Sequence, residues 1–164
     1  MNQELVSPFL NPNFATTDFM MGNKTCYWCW QLSTFLFNHM KFIIQAGGLF
    51  GALAVALGAF GAHALKGMLE TSGRMDTFET AVKYQFYHAL AMVLVGLLLQ
   101  RAGEDAVKLL GWSGHAFIFG VLIFSGSLYA ICFTGITKFG ATAPIGGLLL
   151  IVGWVLLIMA AGKL

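Results

Sequence analysis

Leu148–Ala161 reads LLLIVGWVLLIMAA, with no formal charge, no proline and no alternation of apolar with polar residues. A membrane β-strand would show about ten residues of strict alternation, and this run has none. The nearest charges on either side are Lys138 and Lys163, leaving 24 consecutive residues uncharged. Upstream the pattern repeats, with 24 uncharged residues between Lys41 and Lys66, 17 between Lys83 and Arg101, and 29 between Lys108 and Lys138. A helix rises about 1.5 Å per residue and a bilayer core is roughly 30 Å thick, so about 20 apolar residues cross it. Lipid offers no hydrogen-bond partner to the backbone, which leaves the helix as the spanning form. The fold class expected is therefore an all-α integral membrane bundle of four helices in up-and-down order. Its spans are expected at about 42–65, 84–100, 109–134 and 142–162.

Composition agrees. Hydrophobic residues make up 58% of the 164 and charged residues only 10%, against roughly 25% in a soluble domain. Mean hydropathy is +0.77. A net charge of +2 with no basic stripe excludes a nucleic-acid partner; the partner the composition implies is the lipid bilayer. The second gap is short because its helix is expected to begin before the membrane. Asp76-Thr77-Phe78-Glu79 has the spacing of a capping box, with Asp76 as N-cap, and Glu79 and Lys83 then share a face four residues apart.

Residues 1–39 differ from the rest. They hold all five Asn and two of the three Pro, but one of the 20 Gly. They contain no Arg, unlike a mitochondrial transit peptide, and lack the basic start and small-residue cleavage site of a secretory signal. They are expected to be a disordered or lineage-specific extension, with residues 40–164 forming the transmembrane domain. Cys26-Tyr-Trp-Cys29 has the spacing of a redox pair or half a zinc site, but no second pair and no βαβ pattern accompany it. No metal site and no cofactor are expected.

If the helices alternate in direction, the polar residues within the spans collect in one leaflet half. His63 and His88 fall about 5 and 8 Å below the same boundary, accompanied by Tyr84, Gln85, Ser127, Tyr129 and Pro144. Such groups are costly in lipid and tend to face the bundle interior. Two imidazoles admit three readings: hydrogen-bonded packing, a proton or ligand pathway, or metal or haem ligation. No Asp or Glu lies beside the histidines in the spans, which supplies acid–base and metal chemistry poorly. No catalytic constellation is visible, so an enzyme is not expected.

Small residues mark packing faces. Gly47, Gly51, Ala54, Gly58 and Gly61 form one stripe on the first helix; Ala52, Ala56, Ala59 and His63 form a second. Two such faces predict that this helix is central, and Gly146, Gly147 and Gly153 predict close packing of the last.

The motifs Gly58–Leu65 (GAFGAHAL), Tyr84-Gln85 with His88–Ala91 (HALA), Phe124–Tyr129 (FSGSLY), Pro144–Gly147 (PIGG) and Gly153-Trp154 occur in this order along the spans. Together they resemble the YgdD / transmembrane protein 256 family over about residues 40–164. The resemblance implies a small four-helix protein of the bacterial inner membrane, or of an organelle membrane in eukaryotic members, with no activity attached. Carried over by position, it singles out His63, Tyr84, Gln85, His88, Ser125, Ser127, Tyr129 and Pro144. The chain departs from it at Ala143, where Thr is expected before Pro144; Thr142 is the neighbouring hydroxyl.

Lys and Arg in the flanks number five on the side of the termini and four on the other, a lean towards both termini inside. Two function classes follow. One is a structural or accessory membrane protein whose small faces dock a membrane-protein partner or build a homo-oligomer. The alternative is a small-solute or proton conduit, formed by an oligomer.

Overall fold

A computed structural model describes the backbone from Lys24 and the side chains from Met40, in both cases through Leu164. Its elements are α1 (Lys24–Ala62), α2 (Lys66–Thr71), α3 (Met75–Leu99), α4 (Glu104–Thr134), a 3-10 helix (Thr137–Thr142) and α5 (Ala143–Ala161). Met40–Ala62, Met75–Leu99, Glu104–Thr134 and Thr137–Ala161 are long and apolar enough to cross a membrane. No strand occurs among the described residues. The protein is an all-α bundle with four membrane-spanning helices. Residues Phe37–Leu164 form one compact unit that contains all four spans. Helix α1, described from Lys24, carries the first span at Met40–Ala62. The side chains of Cys26 and Cys29 lie outside the described residues, as does most of the expected extension.

Residue pairing establishes the direction of the helices. Gly47 faces Ala89 and Met92 whereas Gly61 faces Phe78, so α1 and α3 are antiparallel. Gly120 faces Leu150 and Gly146 faces Phe124, while Ser113 bonds Gly153, so α4 and α5 are antiparallel too. Ser125 bonds Ala81 and Arg74 bonds Gly135, so α3 and α4 are antiparallel as well, and α3 and α5 run in the same direction. The main core gathers Ile43 from α1, Met92 and Val95 from α3, Leu110 and Phe117 from α4, and Leu150 from α5. A smaller cluster of Leu69, Phe78 and Cys132 closes one end of the bundle beneath α2.

Two expectations need correction. The first span is not central: 17% of its apolar window is buried inside the protein, against 39% for α4. Of its two small-residue stripes, only Gly47, Gly51, Ala54, Gly58 and Gly61 meets a described helix; Ala52, Ala56, Ala59 and His63 are exposed. Helix α4 takes the central place instead. It packs against Ile43 of α1 at Gly114, against α3 through Ser125, and against α5 along its length. Nor does Asp76 cap α3. The helix starts at Met75 with Arg74 in the N-cap position and no side-chain cap bond. Gly73, at φ +66°, turns the chain early enough for Arg74 O to accept from Phe78 N at 3.0 Å, which places Asp76 in the first turn. There its charge still suits the positive helix end. The Glu79–Lys83 pair forms at 2.8 Å.

Candidate functional site

Helix α3 carries the polar residues that matter most, because its heptad-like spacing puts Ala81, Gln85, His88 and Met92 on the buried side. Gln85 is 4% exposed and joins three helices. Its amide nitrogen donates to Phe50 O on α1 at 2.9 Å, and its amide oxygen accepts from the Tyr129 hydroxyl on α4 at 3.0 Å. One turn earlier, the Ser125 hydroxyl donates to Ala81 O at 2.9 Å, a second tie between α4 and α3.

His88 makes the link to α5. Its Nδ1 lies 2.7 Å from Tyr84 O, and its Nε2 lies 3.2 Å from the indole nitrogen of Trp154. A backbone carbonyl only accepts and an indole N–H only donates. Both contacts are satisfied together by a neutral ring with its proton on Nδ1. The Nε2 lone pair, which a metal or haem would need, is taken by Trp154. Around this bond the rings of Tyr84, His88, Phe117, Phe124 and Trp154 pack at centroid distances from 4.6 Å (Tyr84–Phe124) to 6.2 Å (His88–Trp154).

The remaining expected residues divide. Ser127 is buried but donates to Phe124 O at 2.8 Å within its own helix, so it joins nothing. His63 is exposed at the end of α1, and no bond brings it to His88. Tyr84 and Pro144 line a groove of about 810 Å³ between α3 and α5, together with Tyr87, His88, Leu148 and Trp154. Among the glycines, Gly47, Gly61 and Gly146 sit where a methyl group would collide with the neighbouring helix, at Gly146 with the Phe124 backbone. Gly51, Gly58 and Gly147 have room for one. Thr142 does not replace the missing hydroxyl at Ala143 as a cap for α5, since it donates back to Phe139 O at 2.8 Å.

Sequence reasoning passed over two participants. Trp154 lies in the Gly153-Trp154 motif, where spacing alone does not mark it as a donor to His88. Ser113 went unnoticed; buried between α4 and α5, it donates to Gly153 O at 2.8 Å. Its one visible signal is the Ser113-Gly114 step at helical spacing from Phe117 and Ile118, all on the buried face. Among the described residues, no buried side-chain nitrogen or oxygen lacks a partner, and no three His, Cys, Asp or Glu converge.

Comparison with known proteins adds kinship. The family model described as "Protein of unknown function (DUF423)" matches residues 57–147. A UPF0382 membrane protein of Staphylococcus haemolyticus is 42% identical over 124 residues, covering 76% of this chain and 98% of the relative. The UPF0382 membrane protein YwdK of Bacillus subtilis is 39% identical over 125 residues, with 76% and 98% covered. No solved structure matches. The matched segment runs from the end of α1 to the start of α5 and takes in Gln85, His88 and Tyr129. The chain belongs to the DUF423/UPF0382 family of membrane proteins, a family of unknown function.

Proposed function

We propose that the protein is a structural or accessory component of a bacterial inner membrane, neither an enzyme nor a conduit, in the YgdD / transmembrane protein 256 branch of its family. A single observation carries this: the intramembrane polar groups are used as ties between helices. Gln85 holds α1 and α4, Ser125 holds α3, and both ring nitrogens of His88 are engaged. A proton path needs a group free to exchange its proton along a wet route, and a catalytic base needs a free lone pair. His88 offers neither in this arrangement.

The outward face of α1 supports a docking role. Gly48, Ala52, Ala56 and Ala59 are exposed, and small residues let another transmembrane helix come close. Gln45 and His63 lie exposed towards the two ends of the same face. The partner on this reading is a second copy or another membrane protein, with the bilayer as solvent and no nucleic acid or cofactor involved.

Cysteine cross-linking in native membranes tests it. With Cys26, Cys29 and Cys132 replaced, Ala56→Cys is expected to give an oxidative adduct with a copy or a partner. Ile158→Cys, on an exposed face of α5, is expected to give none. Absence of an adduct from Ala56→Cys contradicts the docking role. Proton flux in liposomes that disappears with His88→Ala replaces the accessory reading with the conduit.

A further inference from the structure

The groove between α3 and α5 has the length of one leaflet. Its α5 wall runs from Pro144 to Trp154, ten residue steps or about 15 Å along a helix, half of the roughly 30 Å hydrocarbon core. Tyr87, Leu148 and Ile151 on its rim are about 60% exposed, and both helices span the membrane, so the groove opens sideways into lipid. The inner end is set by Trp154 on α5, whose indole N–H donates across the seam to His88. The α3 wall is shorter: Tyr84, Tyr87 and His88 lie within about 6 Å along the helix, in the outer half of the groove, with Tyr84 directly after the exposed Glu79–Lys83 pair that marks the water boundary.

These two tyrosines differ from the polar residues turned into the bundle. Gln85, His88 and Tyr129 all have partners, whereas neither Tyr84 nor Tyr87 has a side-chain hydrogen bond among the described residues. Tyrosine at this depth commonly places its ring in the apolar layer and its hydroxyl among headgroups. The seam is thus a largely apolar slot, about one leaflet long on its α5 wall, with two unpaired phenol donors in the outer half on its α3 wall.

We propose that this slot holds one acyl chain of a glycerophospholipid, with Tyr84 and Tyr87 donating to the ester and phosphate oxygens of its head. The bilayer supplies this occupant to a groove that opens into it, and its head offers acceptors to the two donors. The proposal goes beyond the accessory role and stands without it, because it concerns the α3–α5 seam and not the face of α1.

Native mass spectrometry of the full chain, extracted in mild detergent and washed free of bulk lipid, provides the test. The wild type is expected to keep one phospholipid per chain. Gly147→Leu places its side chain in the slot, where an added Cβ meets only the Phe124 ring at 3.8 and 3.9 Å. Retention is expected to fall at least about 10-fold in this variant, and about 5-fold in Tyr84→Phe/Tyr87→Phe, which removes two modest hydrogen bonds. Ile158→Phe, which adds bulk outside the slot, should keep the lipid. The assignment is overturned by a wild type without phospholipid, by an isoprenoid lipid or a second copy in its place, or by equal retention in Gly147→Leu. Should circular dichroism show that Gly147→Leu does not fold, the tyrosine double variant decides, and unchanged retention there overturns the assignment.

Discussion

Helix α3 has two very different seams. Towards α1 it meets a stripe of glycine and alanine, and the approach is close enough that a methyl group on Gly47 would sit 2.8 Å from Ala89 O. Towards α5 the contact is a lateral one, made by aromatic rings and the single His88–Trp154 bond, and a groove lies beside it. Helices in lipid gain no hydrophobic drive from associating, so they must find close packing or hydrogen bonds. The first seam relies mainly on packing; the second relies on a polar tie and leaves room. The contrast explains how a bundle can be firmly assembled along one side of a helix and open along the other.

Glycine substitutions should break that contrast most sharply. Gly47→Leu forces a side chain into the backbone of α3 and is expected to destabilise the bundle by about 3 kcal/mol, in the upper part of the overpacking range. Gly147→Ala, on the open seam, is expected to change stability by less than about 0.5 kcal/mol. Unfolding of both variants in bicelles measures the difference, and equal effects would mean that the two seams are packed alike.

Polar substitutions come next. Gln85→Leu removes the bonds to Phe50 and Tyr129 together and strands a half-buried hydroxyl, at an expected cost of about 1–3 kcal/mol. Tyr129→Phe removes one of those bonds and should cost about 0.6 kcal/mol, the usual scale for a hydrogen bond between membrane helices. A double-mutant cycle in the same bicelle assay should show coupling between the two positions. Additive losses would show that Tyr129 and Gln85 do not act on each other.

Much of this was legible from the chain alone, for physical reasons. Charges cannot sit in hydrocarbon, so the gaps between Lys41, Lys66, Lys83, Arg101, Lys108, Lys138 and Lys163 mark out the spans. Gln85 and His88 stood out because a polar residue in lipid needs a partner. Who the partner is depends on how helices pair in space, and Trp154 lies 66 residues from His88. The position of α1 was misread for a related reason. Its two small-residue stripes look equivalent in sequence, yet one meets α3 and the other meets none of the described helices. Helix α4 became central through residues that reveal little by spacing, among them Ser113, Gly114, Gly120 and Ser125, which let its neighbours approach and then bond. The start of α3 was placed late because a capping-box pattern competes with Gly73, whose left-handed turn begins the helix at Met75. His63 was grouped with His88 by depth alone, and depth says nothing about which way a side chain points.

The central claim is that the polar residues inside this membrane bundle tie helices together rather than carry protons or ligands. Its most direct test is nitrogen-15 solid-state NMR of the ring-labelled protein in phospholipid bilayers, with His88 assigned by substitution. A neutral His88 ring is predicted, protonated on Nδ1 and bare on Nε2, with an Nε2 signal that moves when Trp154→Phe removes the indole donor. A His88 ring that carries its proton on Nε2, or on both nitrogens, would contradict the account.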